Sequence, residues 1–357
     1  MKIGLVVGVR PHFIKLGVLY PVITRSNEIF IINTGQHYDY AMSNVFWGEA
    51  DLQAPLYNLD VGSGTHAEQT GRALIGVERA CVEQKPDIVV VIGDANPSIA
   101  GALAAAKLGI PICHIEAGAR SFKRTMPEEV NRTVIDSIAS LHLCSTEKCV
   151  ENLSAVGTLG TVKFVGDLLL DCVKMKRASL SPSPAKFLGI NAKSYILATI
   201  HREENLLDRA KLRDLLAALS SSRLPVIFPL HPGTKKKLGE IGLGHKITSN
   251  IYFIDPVPHT EMLSLIRNAQ IVVSDSNGVQ RESFFLSVPC LILRDVTEYP
   301  ETVESGCARL VGSSRTAIEN ALLEDWSGGQ YRIELFGDGD AATKITEIFE
   351  ALHESPS

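Results

Sequence analysis

The stretch HIEAGARSFKRTMPEEVNR, from His114 to Arg132, holds three carboxylates, Glu116, Glu128 and Glu129, and four cations, directly after the apolar run IPICHI. A carboxylate at the end of a buried strand is costly unless it is paired or used. Glu116 is therefore expected in an ion pair or a proton transfer. Glu128 follows Pro127 in a helix-start pattern, where the dipole favours acids. Arg132 stands four residues after Glu128, a spacing that allows a helix ion pair. Glu129 and Arg132 are expected to orient this loop.

Four other stretches end apolar runs in reactive residues. In GVRPHFIKL (8–16), Pro11 opens a helix, and Arg10 and Lys15 near its N-terminus would suit an anion. The G-K-[ST] of a Walker loop is absent. In VIGDANPSIAG (91–101), Asp94 ends a strand, where it can cap a helix or face a ligand. TIHREEN (199–205) and FPLHPGTKK (228–236) end two runs in His201 and His231. Neither lies near a Cys and no H-x-x-x-H pair occurs, so no metal site is expected. In SDSNGVQRES (274–283), Ser276, Asn277 and Gly278 can offer donors to a phosphate, and Glu282, one turn on, can accept from ribose hydroxyls. The same pattern also suits a plain helix cap.

The elements that must position these residues alternate: short β-branched runs, then longer amphipathic stretches, the pattern of βα units and a parallel sheet. Strands are predicted at 2–8, 28–35, 87–94, 111–118, 141–146 and 162–167, and again at 195–202, 224–232, 250–256, 269–276, 288–295 and 308–312. Residues 97–109 read as a helix closed by Gly109. The Ser/Pro-rich stretch 178–194 reads as a linker or surface loop. Two Rossmann-like domains are expected, with ligands at the carboxyl ends of the strands. Arg10 and Lys15 set opposite Ser276–Gly278 would hold a nucleotide diphosphate across a cleft.

Bulk composition narrows the function. At 357 residues and 45% hydrophobic, the chain can build about two cores. No apolar run is long enough to span a membrane, and the N-terminus reads as a strand and turn rather than a signal peptide, so a cytoplasmic protein is expected. A net charge of -5 argues against a general nucleic-acid or membrane binder. The seven cysteines are expected to be reduced core thiols.

Taken together, these motifs resemble the non-hydrolysing UDP-N-acetylglucosamine 2-epimerases. The resemblance covers nearly the whole chain and includes TGQHYDYAM (34–42), MPEEVNR (126–132), LRDVTEYPETVESG (293–306) and FGDGDAA (336–342). It implies the glycosyltransferase-B architecture, two Rossmann-like domains facing across a cleft. The N-terminal domain would cover 1–168 and the UDP-binding domain 169–340, with 341–357 a C-terminal helix packing back on the first. It implies anti elimination of UDP to a 2-acetamidoglucal and re-addition at the other face, giving UDP-N-acetylmannosamine. No cofactor or metal is implied, and a homodimer is.

Residue by residue, Asp94, Glu116, Glu128 and His201 match the family's catalytic set. Arg10, Lys15, Ser276, Gly278 and Glu282 match its UDP-binding positions, and Asn277 and His231 lie among them. Gln36, Arg72 and His201 match positions of an allosteric UDP-sugar site. An added carboxylate at Asp39 is unfavourable beside a diphosphate, so weak or no allosteric activation is expected. Other departures are Ala95 for Thr, Asn277 for Gly, Arg281 for Glu, Val257 for Gln and Tyr299 for an Arg that contacts phosphates. Arg281 is expected to replace part of that contact. The alternatives are a hydrolysing 2-epimerase releasing UDP and ManNAc, an epimerase of a related UDP-HexNAc, a transferase of the same architecture, and a non-catalytic UDP-sugar binder.

Overall fold

The structure, a computed structural model, describes residues 1–35, 52, 54–240 and 250–354. The chain divides into two compact units, Met1–Lys174 with Glu334–Ser357, and Met175–Ile333. Both are Rossmann-like parallel-sheet α/β domains, the fold class expected. The changeovers differ from the expected 168 and 340. The helix Leu168–Lys176 crosses the first of them, and its Leu168 and Cys172 belong to the core of the first unit.

The first sheet contains β1 (Lys2–Val7), β2 (Glu28–Asn33), β3 (Tyr57–Asn58), β4 (Ile88–Ile92), β5 (Ile112–Ile115), β6 (Leu141–Cys144) and β7 (Thr161–Phe164), in the order β3-β2-β1-β4-β5-β6-β7. The strands read as unbroken apolar runs because both faces are covered. Leu5, Val7, Val90 and Ile92 pack on one face, and Val6, Val89 and Val91 on the other. Four helices bear on the site: α1 (Arg10–Ile23), α2 (His66–Gln84), α3 (Asn96–Lys107) and α4 (Pro127–Ile138). The small residues of α3 let it lie close on the sheet: a Cβ at Gly101 would come within 3.0 Å of Val6 and Val91. The C-terminal helix Ala341–Glu354 buries Ile345 and Phe349 in the same core as α1. Each such side chain contributes about 1.5–3 kcal/mol.

The second sheet contains β8 (Ile196–Thr199), β9 (Val226–Pro229), β10 (Ile251–Ile254), β11 (Ile271–Ser274), β12 (Cys290–Ile292) and β13 (Ala308–Leu310), in the order β10-β9-β8-β11-β12-β13. Two of its helices matter here, α5 (His259–Asn268) and α6 (Asn277–Phe285). Chain order reverses between β1 and β4 in one sheet and between β8 and β11 in the other. At such switch points the loops diverge and leave a crevice.

Every strand read from the sequence is present, and each stops short of the expected carboxyl end. There the chain turns away to present Gly93–Asp94, Glu116, His201 and Asp275. The extra strand β3 has only two residues and no apolar run to announce it. All seven cysteines are free and buried, as expected. Among the described residues no helix is long and apolar enough to cross a membrane.

Candidate active site

In the first unit, neighbouring strands β1, β4 and β5 deliver Lys15, Asp94 and Glu116 to one end of the sheet. Glu116 follows β5 in a left-handed conformation, φ 67°. Its carboxylate forms a buried ion pair with the Lys15 ammonium. Its Oε2 passes so close to Gly93 that a Cβ there would lie 3.1 Å away, and Gly93 itself has φ 62°. Only glycine meets both demands without strain.

Asp94 is not the cap of α3: Ala95 occupies that position and makes no side-chain cap. The Asp94 carboxylate instead receives Nε of Arg132 at 2.8 Å and Nη2 at 2.5 Å, while Asn131 donates to its backbone carbonyl. Arg132 also reaches Glu129 at 2.7 Å. Glu129 in turn accepts from the amides of Ser121 and Phe122 and from the Ser121 hydroxyl. Glu129 and Arg132 therefore hold the loop to the strand end, as the sequence suggested. Asp94 keeps a third of its side chain exposed, against 8% for Glu116, so it is the more open of the two carboxylates. Glu128 lies half-buried at the second position of α4, and Arg10 half-buried at the first of α1.

A second buried network sits beneath the Glu116 turn. Asp136 accepts from His114 Nδ1 at 2.5 Å, from Arg120 at 2.6 Å and from the amide of Gly118 at 3.1 Å. Burial pushes its pKa up, but His114 and Arg120 outweigh that and hold it at about 2. His114 Nε2 meets the carbonyl of Gly93 at 2.9 Å. One network thus fixes the turns that carry both Asp94 and Glu116.

In the second unit, His201 and His231 follow neighbouring strands, with ring centres 6.3 Å apart. His201 Nδ1 lies 3.2 Å from Asp275, a fully buried carboxylate that also accepts from the amides of His201 and Arg202 and from Asn205. Burial opposes the charge on Asp275, but these donors keep its pKa below the usual carboxylate value. The His231 Nδ1 accepts from the amide of Gly233. Ser276 caps α6 through the Val279 amide, so the capping alternative holds for its hydroxyl. Asn277 donates to Glu298, itself clamped by two bonds from Arg294. Arg72 bonds the backbone of Glu68 and Ser63, and Gln36 and Asp39 lie outside the described residues.

The UDP-N-acetylglucosamine 2-epimerase family pattern matches residues 23–350. The chain belongs to this family. A UDP-N-acetylglucosamine 2-epimerase homolog of Methanococcus maripaludis is 42% identical over 99% of this chain and 100% of its own. A Pseudomonas aeruginosa UDP-2,3-diacetamido-2,3-dideoxy-D-glucuronate 2-epimerase is 38% identical over 99% of this chain and 100% of its own. The crystal structure of the Methanocaldococcus jannaschii UDP-GlcNAc 2-epimerase with UDP-GlcNAc and UDP superposes with a TM-score of 0.90, at 38% identity, over 98% of this chain and 100% of that one.

Among epimerase-family features, the departure at Tyr299 gains a physical setting. Tyr299 is buried, and the Arg281 guanidinium lies 4.4 Å from its ring centre. A cation thus stands beside position 299 although residue 299 is not one. Sequence reasoning missed His12, which lies within the GVRPHFIKL motif as a histidine one turn before Lys15. It also missed Asp275, Asp136 and His259, whose partners are distant in sequence.

His12 is buried, its Nδ1 has no partner among the described residues, and burial together with the Lys15 charge holds its pKa at about 3, despite the opposing charges of Glu116 and Asp94. The folded value lies below the unfolded one, so the folded state disfavours the proton. The stability this neutral ring permits is present above the unfolded pKa and is lost as pH falls toward the folded one. By pH 5 that loss is about 2 kcal/mol. His12→Phe should remove this part of the acid sensitivity. Urea unfolding midpoints at pH 7 and pH 5 should therefore converge in the variant relative to the parent, and equal pH responses would refute the assignment.

Proposed function

We propose that this protein is a non-hydrolysing epimerase that inverts C2 of UDP-N-acetylglucosamine to give UDP-N-acetylmannosamine. A base removes the C2 proton, the bond from C1 to the UDP oxygen breaks, and UDP leaves with its electron pair. The resulting 2-acetamidoglucal then takes a proton at the opposite face of C2, and the UDP oxygen rebonds to C1. Inversion requires a base for the C2 proton and a proton donor to which the glycal then presents its other face.

The observation that carries this reading is the pair of carboxylates, Asp94 and Glu116, at adjacent strand ends, each held by its own buried cation. Each ion pair fixes its carboxylate in place, as a positioned acid or base requires. A protein that only bound UDP-sugars would have no use for two such groups. In this reading Asp94, Glu116, Glu128 and His201 serve the sugar, and the first residues of α6 with Glu282 serve the nucleotide. Backbone amides and cations meet the charge that builds on the leaving diphosphate. The protein acts as a cytoplasmic homodimer without cofactor or metal, and light scattering that showed a monomer would remove the dimer.

A second reading, a C2 epimerase of a related UDP-HexNAc, is supported by the similar identity to the Pseudomonas aeruginosa protein and by the departures at Asn277 and Tyr299. Proton NMR in D2O with each sugar nucleotide tests both. The expected result is a new anomeric signal with deuterium at C2 and no free sugar. Free ManNAc appearing with UDP would assign the hydrolysing reaction instead. Turnover of only a 3-acetamido substrate would select the second reading.

A further inference from the structure

We propose that His259 and Lys176 are positioning residues that set the Glu282 carboxylate to receive a ribose hydroxyl. This rests on the reading of Glu282 as a nucleotide contact. Glu282 projects from α6 and is buried. His259 opens α5 and is equally buried, and its Nε2 lies 2.7 Å from Glu282 Oε1. Its other nitrogen, Nδ1, lies 3.3 Å from the Lys176 ammonium.

The chemistry of the three groups dictates the protons. An ammonium has donors only, so His259 Nδ1 must offer its lone pair. The ring proton is then on Nε2 and points at the carboxylate. The chain runs ammonium to imidazole to carboxylate, each member donating to the next. It does two things for a buried acid. It satisfies one carboxylate oxygen, which would otherwise be costly to bury. It also fixes the plane of the carboxylate, so that the second oxygen has one direction in which to accept. Lys176 supplies the compensating charge at one remove, and among the described residues Glu282 has no direct Lys or Arg partner that would compete with a hydroxyl donor.

A plain structural role would make the same contacts, so the test must read ligand discrimination rather than stability. Isothermal titration with UDP and with 2′,3′-dideoxy-UDP compares the parent with His259→Phe, His259→Gln and Lys176→Met. The parent should prefer UDP by about tenfold or more, the range for hydrogen bonds to a charged acceptor. His259→Phe should reduce that preference to within about threefold of parity, and His259→Gln, which keeps a side-chain N–H, should restore most of it. In turnover, His259→Phe should raise KM with kcat nearly unchanged, the mark of lost uniform binding.

Lys176 is only half-buried, and Lys176→Met keeps its stem, so this variant carries the test if His259→Phe does not fold. A preference as large in His259→Phe, or in Lys176→Met, as in the parent would overturn the positioning role while leaving the ribose reading of Glu282 standing. A parent that binds both nucleotides equally would overturn both.

Discussion

Glu116→Gln is expected to lower the epimerisation rate by about 10²–10⁴-fold, the usual contribution of a positioned acid or base. It should leave UDP affinity nearly unchanged and abolish deuterium uptake at C2. The variant will also be less stable, because Lys15 would remain buried without its counter-charge. Removing one member of a buried pair costs about 3–5 kcal/mol, whereas replacing both with neutral groups of similar size is often close to neutral. That asymmetry separates chemistry from architecture. The double variant Lys15→Met with Glu116→Gln should recover most of the lost stability without recovering the rate. Thermal unfolding and single-turnover rates, both taken well below the unfolding temperature, supply the comparison. A double variant that regained rate along with stability would make the pair a structural feature and move the acid–base role elsewhere.

The way these pairs form explains what could be read from the chain alone. Strand positions were legible because a parallel sheet covered on both faces demands unbroken apolar runs, and VVVI in β4 can hardly be anything else. Asp94, Glu116, His201 and His231 stood out as candidates because each follows such a run, at the point where the chain leaves the ladder. Their partners did not. Lys15 and Glu116 are 101 residues apart and Asp94 and Arg132 are 38 apart. Only the strand order, with β1, β4 and β5 side by side, brings them together. Helix spacing pointed to partners for Arg132 on its own helix, where Glu129 lies one turn back, but gave no sign that Arg132 also reaches Asp94 on the neighbouring strand end. His259 was invisible for the same reason, since its role depends on α5 lying beside α6. The domain boundary was drawn at the end of a strand, whereas the helix after it, with five apolar residues among its first six, is committed to the first core.

Arg132→Met should be the most damaging single change near the site that removes no proposed acid or base. Arg132 is 2% exposed and joins the carboxylates of Asp94 and Glu129. Its removal leaves Glu129 buried and unneutralised, with an expected loss of about 3–5 kcal/mol. Glu129 would then shift within its site or pull out of it. Either response weakens the bonds that fix Ser121 and Phe122, and so frees the loop leading to Glu128. Asp94 loses its two-pronged contact as well, so its carboxylate would no longer be oriented. Arg132→Lys gives the sharper comparison. A lysine restores the charge but not the planar fork that binds two acids in fixed directions. Stability should therefore return in part while the rate stays low. Equal recovery of both in Arg132→Lys would mean that charge alone is needed and that the orientation of Asp94 has no part in the reaction.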